Sequence, residues 1–363
     1  MKKILTLMGL MLIVACSVMV VVSCENTDWG EGDGDPSLLE YKLSEDGTFY
    51  IVAGIGDYVG THLVIPEEYK GLPVREIKSW VFSGSYNNIG DDRLLELDTP
   101  WLKSITISDN IAKLEDYSFS NSNIEQVNIE SGVSEIEVKA FSSMKNLKKI
   151  NVSKDNQNYM SKNGVLYSKD GIKLIRYPGA KKRKSFTLSS EITEIGPHAF
   201  DGAVNLKRVK IGNNVTQIGQ FAFFNAGIKR ISIPDSVKIL GAEAFEACKS
   251  LKKVKLGSGL TEIAQATFGN CHKLVKIVMP KNIKAIRAMA LWCGENAKIF
   301  YEGTEAEWNE ILLDTKVDGT LSETWEAPVF LDDVQIYYYS KQRTKKGGNY
   351  WRYIFGVPVI WKN

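Results

Sequence analysis

One short phrase recurs along the chain and leaves few folds open to it. An aliphatic residue is followed by four intervening residues and then Phe, usually with a small residue just before the Phe. The phrase closes at Phe82, Phe119, Phe141, Phe200, Phe223, Phe245 and Phe268, and Ile286 with Leu291 is a worn last copy. From Phe200 onward the closing residues are spaced 23, 22, 23 and 23. A fixed period of this length marks a solenoid, because one coil cannot bury its apolar side until another stacks on it.

Each copy leads into an alternating run, such as Leu206-Lys207-Arg208-Val209-Lys210-Ile211 or Leu251-Lys252-Lys253-Val254-Lys255-Leu256. Alternation of this kind predicts a strand with its aliphatic residues inward and its polar residues in water. The expected fold is therefore a β-rich repeat solenoid. Its parallel strands stack at about 4.8 Å per coil, and each Phe lies over the next. The period breaks twice. A gap of 37 residues separates Phe82 from Phe119, which implies an insertion around residues 83–102. A gap of 59 separates Phe141 from Phe200, and there Asp170-Gly171 between two apolar runs predicts a hairpin insertion over about residues 153–186. A similar phrase from Tyr41 to Val52 predicts an N-terminal hairpin cap over residues 38–60, followed by the solenoid at 61–300 and a C-terminal cap at 301–363.

Residues 1–23 read as a targeting segment. Lys2 and Lys3 precede an apolar run of 19 residues at 4–22. Two cysteines end small-residue, lipobox-like phrases: Ile13-Val14-Ala15-Cys16 and Val21-Val22-Ser23-Cys24. Cys24 is the expected lipidation site, since cleavage before Cys16 leaves residues 18–22 as an uncovered apolar patch. Cys16 and an uncleaved spanning run stay open as alternatives. Residues 24–37 are acidic and glycine-rich, the composition of a flexible tether, and resemble the export signals of some outer-membrane surface lipoproteins. The formal charge of +2 is that of Lys2 and Lys3 alone, so the rest of the chain is near neutral and bulk charge gives no case for nucleic acid.

Several phrases together carry a family resemblance. They are Ile-Gly-x-x-Ala-Phe at Ile195 and Ile218, Gly71-Leu72-Pro73-Val74, Gly164-Val165-Leu166-Tyr167, residues 301–308 and Tyr337-Tyr338-Tyr339-Ser340. Over most of residues 38–363 the chain resembles the BspA-like class of bacterial leucine-rich-repeat proteins. The resemblance implies leucine-rich repeats, surface display and binding of host or microbial macromolecules without catalysis. Leu291 in place of Phe and the first insertion depart from the pattern.

Cys248, Cys271 and Cys293 follow the period of the repeat, and Cys248 and Cys271 sit three residues after the repeat Phe, a slot that Met144, Ala203 and Ala226 fill elsewhere. That pattern points to buried packing thiols, with a disulfide between neighbouring coils left open. No metal site is expected, since only His272 lies near the cysteines and neither His62 nor His198 has ligands at suitable spacing. His198 aligns with Gln220, Glu243 and Ala266, so it reads as surface decoration. Ser250-x-x-Lys253 matches a penicillin-binding motif, but Asn146 and Asn205 take the place of Ser250 in other coils. No catalytic residue and no cofactor are expected.

Two features point to a ligand. Lys148-Lys149, Lys207-Arg208, Lys229-Arg230 and Lys252-Lys253 recur at one repeat position, with Lys276 continuing the row. Stacked, they make a positive rail along one edge, suited to anionic glycans or acidic protein segments, or serving only to keep a strand edge soluble. The aromatic tail offers Trp351 and Trp361 for stacking on a ligand, or else its rings cap the last coil with Trp308 and Ile311. The expectation is a monomer, lipid-anchored at the bacterial outer membrane, that binds a protein or glycan in adhesion. Glycan capture for an uptake system and a purely architectural role are the alternatives.

Overall fold

The computed structural model describes residues 34–83, 99–293, 296–314, 334–342 and 348–361. The leader, Cys16, Cys24, most of the acidic tether and most of the first insertion lie outside the described residues. The rest is a β-solenoid of about 11 turns.

Two rows of strands run along it. The first contains His62–Val64, Ser104–Ile107, Gln126–Ile129 and Lys149–Val152, paired in parallel. It continues with Ser185–Thr187 beside Arg208–Lys210, then Arg230–Ser232, Lys253–Lys255, Lys276–Met279, Lys298–Tyr301 and Gln335–Tyr339. The second row is built mostly from two-residue strands, such as Glu194–Ile195, Gln217–Ile218 and Ile239–Leu240. Alternation sets the inward side: Val209, Ile231, Val254 and Ile277 are buried at equivalent positions.

Between the rows runs the Phe ladder. Ring centroids lie 4.8 Å apart from Phe200 to Phe223, 4.9 Å to Phe245 and 5.6 Å to Phe268. The backbone pairs here too. Phe223 N donates to Ala244 O at 2.7 Å, and Phe245 N donates to Thr267 O at 2.9 Å. The corner is made by two left-handed residues placed symmetrically about the Phe: Phe221 and Asn225, Glu243 and Ala247, Ala266 and Asn270, with φ between 48° and 57°. Such residues are uncommon for side chains other than Gly, Asn or Asp, so the repeated corner holds the chain in a strained turn to aim the ring inward. The glycine of the phrase has a separate reason. A Cβ on Gly219 would meet Pro197 N at 2.5 Å, and one on Gly241 would meet Gln220 N at 2.4 Å.

The second insertion rejoins the stack. Tyr159–Lys162 and Val165–Ser168 pair antiparallel, and Val165–Ser168 pairs antiparallel with Lys173–Arg176. Lys173–Arg176 then pairs in parallel with Glu194–Ile195 and so serves as a coil of the second row. Tyr177 takes a Phe place in the ladder, 5.3 Å from Phe200, with its N donating to Ala199 O at 2.7 Å. The core divides here into one cluster from Leu39 to Leu166 and another from Val165 to Ile311.

A buried ionic node sits at the join. Arg176 is 2% exposed and Asp201 1%. The Arg176 guanidinium donates to His198 O and, at 3.0 Å, to Asp201 O. Asp201 Oδ2 lies 3.9 Å from Arg176 Nη1 and accepts from Ser143 N at 2.8 Å. Burial pulls Arg176 below its usual pKa and the Asp201 charge opposes that pull. His198 Nδ1 is 3.2 Å from the same carboxylate oxygen and its ring stacks on Phe221. His198 is therefore part of the join rather than surface decoration, because Arg176 and Asp201 both bond to it.

At the N-terminal end Glu40–Leu43 pairs antiparallel with Tyr50–Gly54, which pairs in parallel with Leu72–Ile77. At the other end a capping box of Thr304 and Glu307 starts the helix Glu305–Asn309, and Trp308 and Ile311 are buried. Tyr350–Ile354 adds to Gln335–Tyr339, and Val357–Ile360 turns back antiparallel. This hairpin covers the outer side of the first row, forming a second small core with Val278, Phe300, Tyr337 and Trp351.

Candidate functional site

The outer side of the first row carries the basic residues, and strand register sets their arrangement. Arg230 lies directly opposite Lys253, Lys253 opposite Lys276, and Lys276 opposite Lys298. Two residues further along, on the same side, Ser232 lies opposite Lys255. Lys207, Lys229 and Lys252 precede the strands and are linked by backbone bonds, Lys229 N to Lys207 O at 3.0 Å and Lys252 N to Lys229 O at 2.9 Å. Three successive coils thus display a three-by-three array: Lys207, Arg208 and Lys210, then Lys229, Arg230 and Ser232, then Lys252, Lys253 and Lys255. Eight of the nine are cations, and all but the half-buried Lys207 are exposed.

The array is a sheet face, not the edge the sequence reading assumed. Protecting a strand edge therefore does not account for it. Like charges directly opposite one another on neighbouring strands are unfavourable. Among the described residues no carboxylate forms an ion pair with any of the eight. Asp235, beyond the strand, is held below the usual carboxylate range chiefly by hydrogen bonds from Ser258 and feels Lys255 only weakly. Lysines that do pair with carboxylates lie elsewhere: Lys113 reaches Glu137 at 2.7 Å and Lys173 reaches Glu194 at 2.7 Å.

Other expected site residues fall differently. Lys148 pairs with Glu125 and so drops out of the rail as a free cation. Lys276 lies 4.3 Å over the Phe300 ring and donates to Pro358 O at 3.1 Å; burial lowers its pKa. The C-terminal hairpin thereby closes the array at that end. Trp351 is fully buried, T-shaped against Phe300, and its Nε1 donates to Tyr301 O at 2.8 Å. It cannot stack on a ligand, and this corrects the expectation that rested on it. Trp361 is half-buried with Arg352 3.9 Å over its ring.

Sequence reasoning missed a polar groove of about 440 Å³ on the same face nearer the N-terminus, lined by His62, Lys103, Thr106, Gln126, Asn128 and Lys149 among others. Gln126 Nε2 and Asn151 Nδ2 both donate to Asn128 Oδ1 at 2.8 Å, and Asn128 Nδ2 donates to Thr106 Oγ1 at 3.0 Å. Apart from Asn128 and Asn151 they share no repeated type, and their register brings them together.

Cys248 and Cys271 are free and buried, their thiols donating to Phe223 O at 3.0 Å and Phe245 O at 3.1 Å. Burial pushes the Cys248 thiol up to about 12, which makes it a poor nucleophile. No group of three or more His, Cys, Asp or Glu able to hold a metal occurs among the described residues.

Glu243 is perturbed in the direction opposite to Asp235. Half-burial and the neighbouring Glu246 raise Glu243 from 4.5 to about 8. A carboxyl whose pKa is raised by folding keeps its proton in the folded chain after the unfolded chain has lost it, so stability falls as pH rises between those values. The expected result is a melting temperature that declines from pH 5 to pH 8 more steeply than in Glu243→Gln. Parallel pH profiles of the two proteins would remove this assignment.

The comparisons with known proteins agree with this architecture. The model of the BspA type leucine rich repeat region matches residues 73–183 and 177–296, with 6 copies. A leucine-rich repeat protein from Eubacterium ventriosum is similar in structure, with 21% identity, a TM-score of 0.52, and 72% of this chain and 82% of that chain covered. A leucine rich cell surface protein from Faecalibacterium prausnitzii aligns at 19% identity over 77% of this chain and 97% of that one, with a TM-score of 0.43. No curated protein matches. The period, the Phe ladder and a family match over more than half its length place this chain in the BspA-type leucine-rich-repeat family.

Proposed function

We propose that the chain is a cell-surface recognition protein, anchored to the bacterial outer membrane through a lipid on Cys24, that holds an anionic macromolecule on its open sheet face. The role is adhesive and non-catalytic. The observation that carries the reading is the array of eight cations on three coils, none of them ion-paired with a carboxylate among the described residues. The fold keeps together charges that repel, and a partner of opposite sign relieves that cost. The lipobox-like phrase and the acidic tether support the anchor.

The test is charge reversal of Lys207, Arg208, Lys229 and Arg230 to Glu, with binding to immobilised heparin followed as salt is raised. Affinity is expected to fall at least tenfold, about 1.4 kcal/mol, and the remaining binding to lose most of its salt dependence. Stability is expected to change by no more than about 0.5 kcal/mol, as these are surface positions. Binding left unchanged by the four reversals would sink the proposal.

A further inference from the structure

The hairpin that closes the array at its C-terminal end has two sides, and strand register assigns its residues to them. Trp351 lies opposite Ile360 and Tyr353 opposite Pro358, while Arg352 lies opposite Val359 and Ile354 opposite Val357. The first two pairs face the sheet beneath. Trp351 packs on Phe300, the Tyr353 hydroxyl donates to Glu302, and Pro358 O accepts from Lys276 Nζ at 3.1 Å. The other two pairs therefore point away from the solenoid, and Val357 and Val359 are exposed there. Trp361, with Arg352 over its ring, shares that outer side.

Packing does not explain the turn. Phe355 and Gly356 have φ of 49° and 74°, the sign pattern of a two-residue type I′ turn. Such a turn favours Asn-Gly, and a bulky ring in the left-handed region is strained. Phe355 is fully exposed, so no burial offsets the strain. With Ile354, Val357 and Val359 it forms an apolar tip beside eight cations. Single exposed apolar residues need no explanation, but a grouped tip marks a surface that meets something apolar.

Height separates the tip from the charges. Packed β layers lie about 10 Å apart, and the hairpin is one layer above the row that carries the cations. The lysine and arginine stems recover part of that step, so a flat partner meets the tip first and the cations several ångströms later. Protein elements that lie on a membrane have this profile: their apolar side enters about 5–10 Å past the headgroup boundary while cations stay among the headgroups. Arg352 and Trp361, at the base of the hairpin, are residue types suited to the zone between. A soluble polyanion gives the tip nothing to enter.

We infer that this face docks on a lipid bilayer with anionic headgroups, with Ile354, Phe355, Val357 and Val359 entering the acyl boundary and the array holding the phosphates. The inference rests on the anionic recognition proposed above and narrows the partner to the lipid surface of the cell that is held.

The experiment holds the purified full chain in phosphatidylcholine nanodiscs, which occupy its anchor, and adds vesicles containing nitroxide-labelled lipid. A fluorophore on Val357→Cys reports contact with the labelled lipid, and the chain without that cysteine, treated alike, is the blank. Vesicles containing phosphatidylglycerol are expected to bind and to quench the probe, and vesicles of phosphatidylcholine alone to do neither. Phe355→Asn is expected to weaken vesicle binding at least fivefold while the melting temperature holds or rises, since Asn suits the turn. Reversal of Lys207, Arg208, Lys229 and Arg230 to Glu is expected to abolish binding.

Binding of heparin without binding of anionic vesicles overturns the bilayer and leaves anionic recognition standing. Vesicle binding that leaves the probe unquenched, or that Phe355→Asn does not weaken, overturns it as well, since the tip then takes no part. Absence of binding to heparin and to vesicles overturns both this inference and the reading beneath it.

Discussion

Asp201→Ala is expected to destabilise the protein by about 3–5 kcal/mol, because it leaves the buried Arg176 guanidinium without its carboxylate. The same change removes the acceptor of Ser143 N, which lies on the far side of the insertion. The loss is therefore expected to show in cooperativity as well as in midpoint. In a repeat protein stability is close to a sum of coil and junction terms, and weakening one junction lets the two sides melt separately. The measurement is urea unfolding followed by tryptophan fluorescence and by far-ultraviolet circular dichroism. Coincident transitions in the wild type should separate in the variant. A double change of Arg176→Met with Asp201→Ala should recover much of the loss, since an apolar pair of similar volume no longer strands a charge. A loss below about 1 kcal/mol with a single sharp transition would show that the node does not join the halves.

Phe223→Ala is expected to cost about 3–5 kcal/mol through the cavity it leaves and the apolar burial it loses. Phe223 has neighbours on both sides, at 4.8 Å and 4.9 Å, and is fully buried. Phe141→Ala should cost less. Its ring stacks on Phe119 at 5.5 Å and is 4% exposed, and the ladder does not continue directly to Phe200. Chemical denaturation of the two variants gives the comparison. Equal losses would mean that stacking along the ladder adds nothing to burial of the single ring.

The solenoid was legible in the sequence because the same contacts recur: Phe at 22 or 23 residues needs only a count. What did not repeat was hidden. Arg176 and Asp201 each occur once in the repeat frame, and their pairing follows from the inserted hairpin rejoining the stack at Lys173–Arg176. The polar groove joins His62, Thr106 and Asn128 through register alone. Trp351 could be read as a ligand-stacking ring or as part of a cap, because a strand near a terminus gives no sign that it folds back over Phe300. The basic rail was found from spacing, but its place on a face rather than an edge depends on which residues of each pair enter the strand. Lys148 left the rail for the same kind of reason: its neighbour across the coil is Glu125, where later coils have lysine.

The corner amides of each coil donate forward to the next, as Phe223 N does to Ala244 O and Phe245 N to Thr267 O. The junctions from Phe200 to Phe268 are thus chemically alike, and an unequal crossover between two of these copies within the gene would add or remove a whole coil without creating a new kind of contact. Copy number then sets the length of the exposed face in fixed steps. In such a lineage the protein becomes a ruler, and the reach of its binding surface changes by recombination faster than point substitution could redesign it.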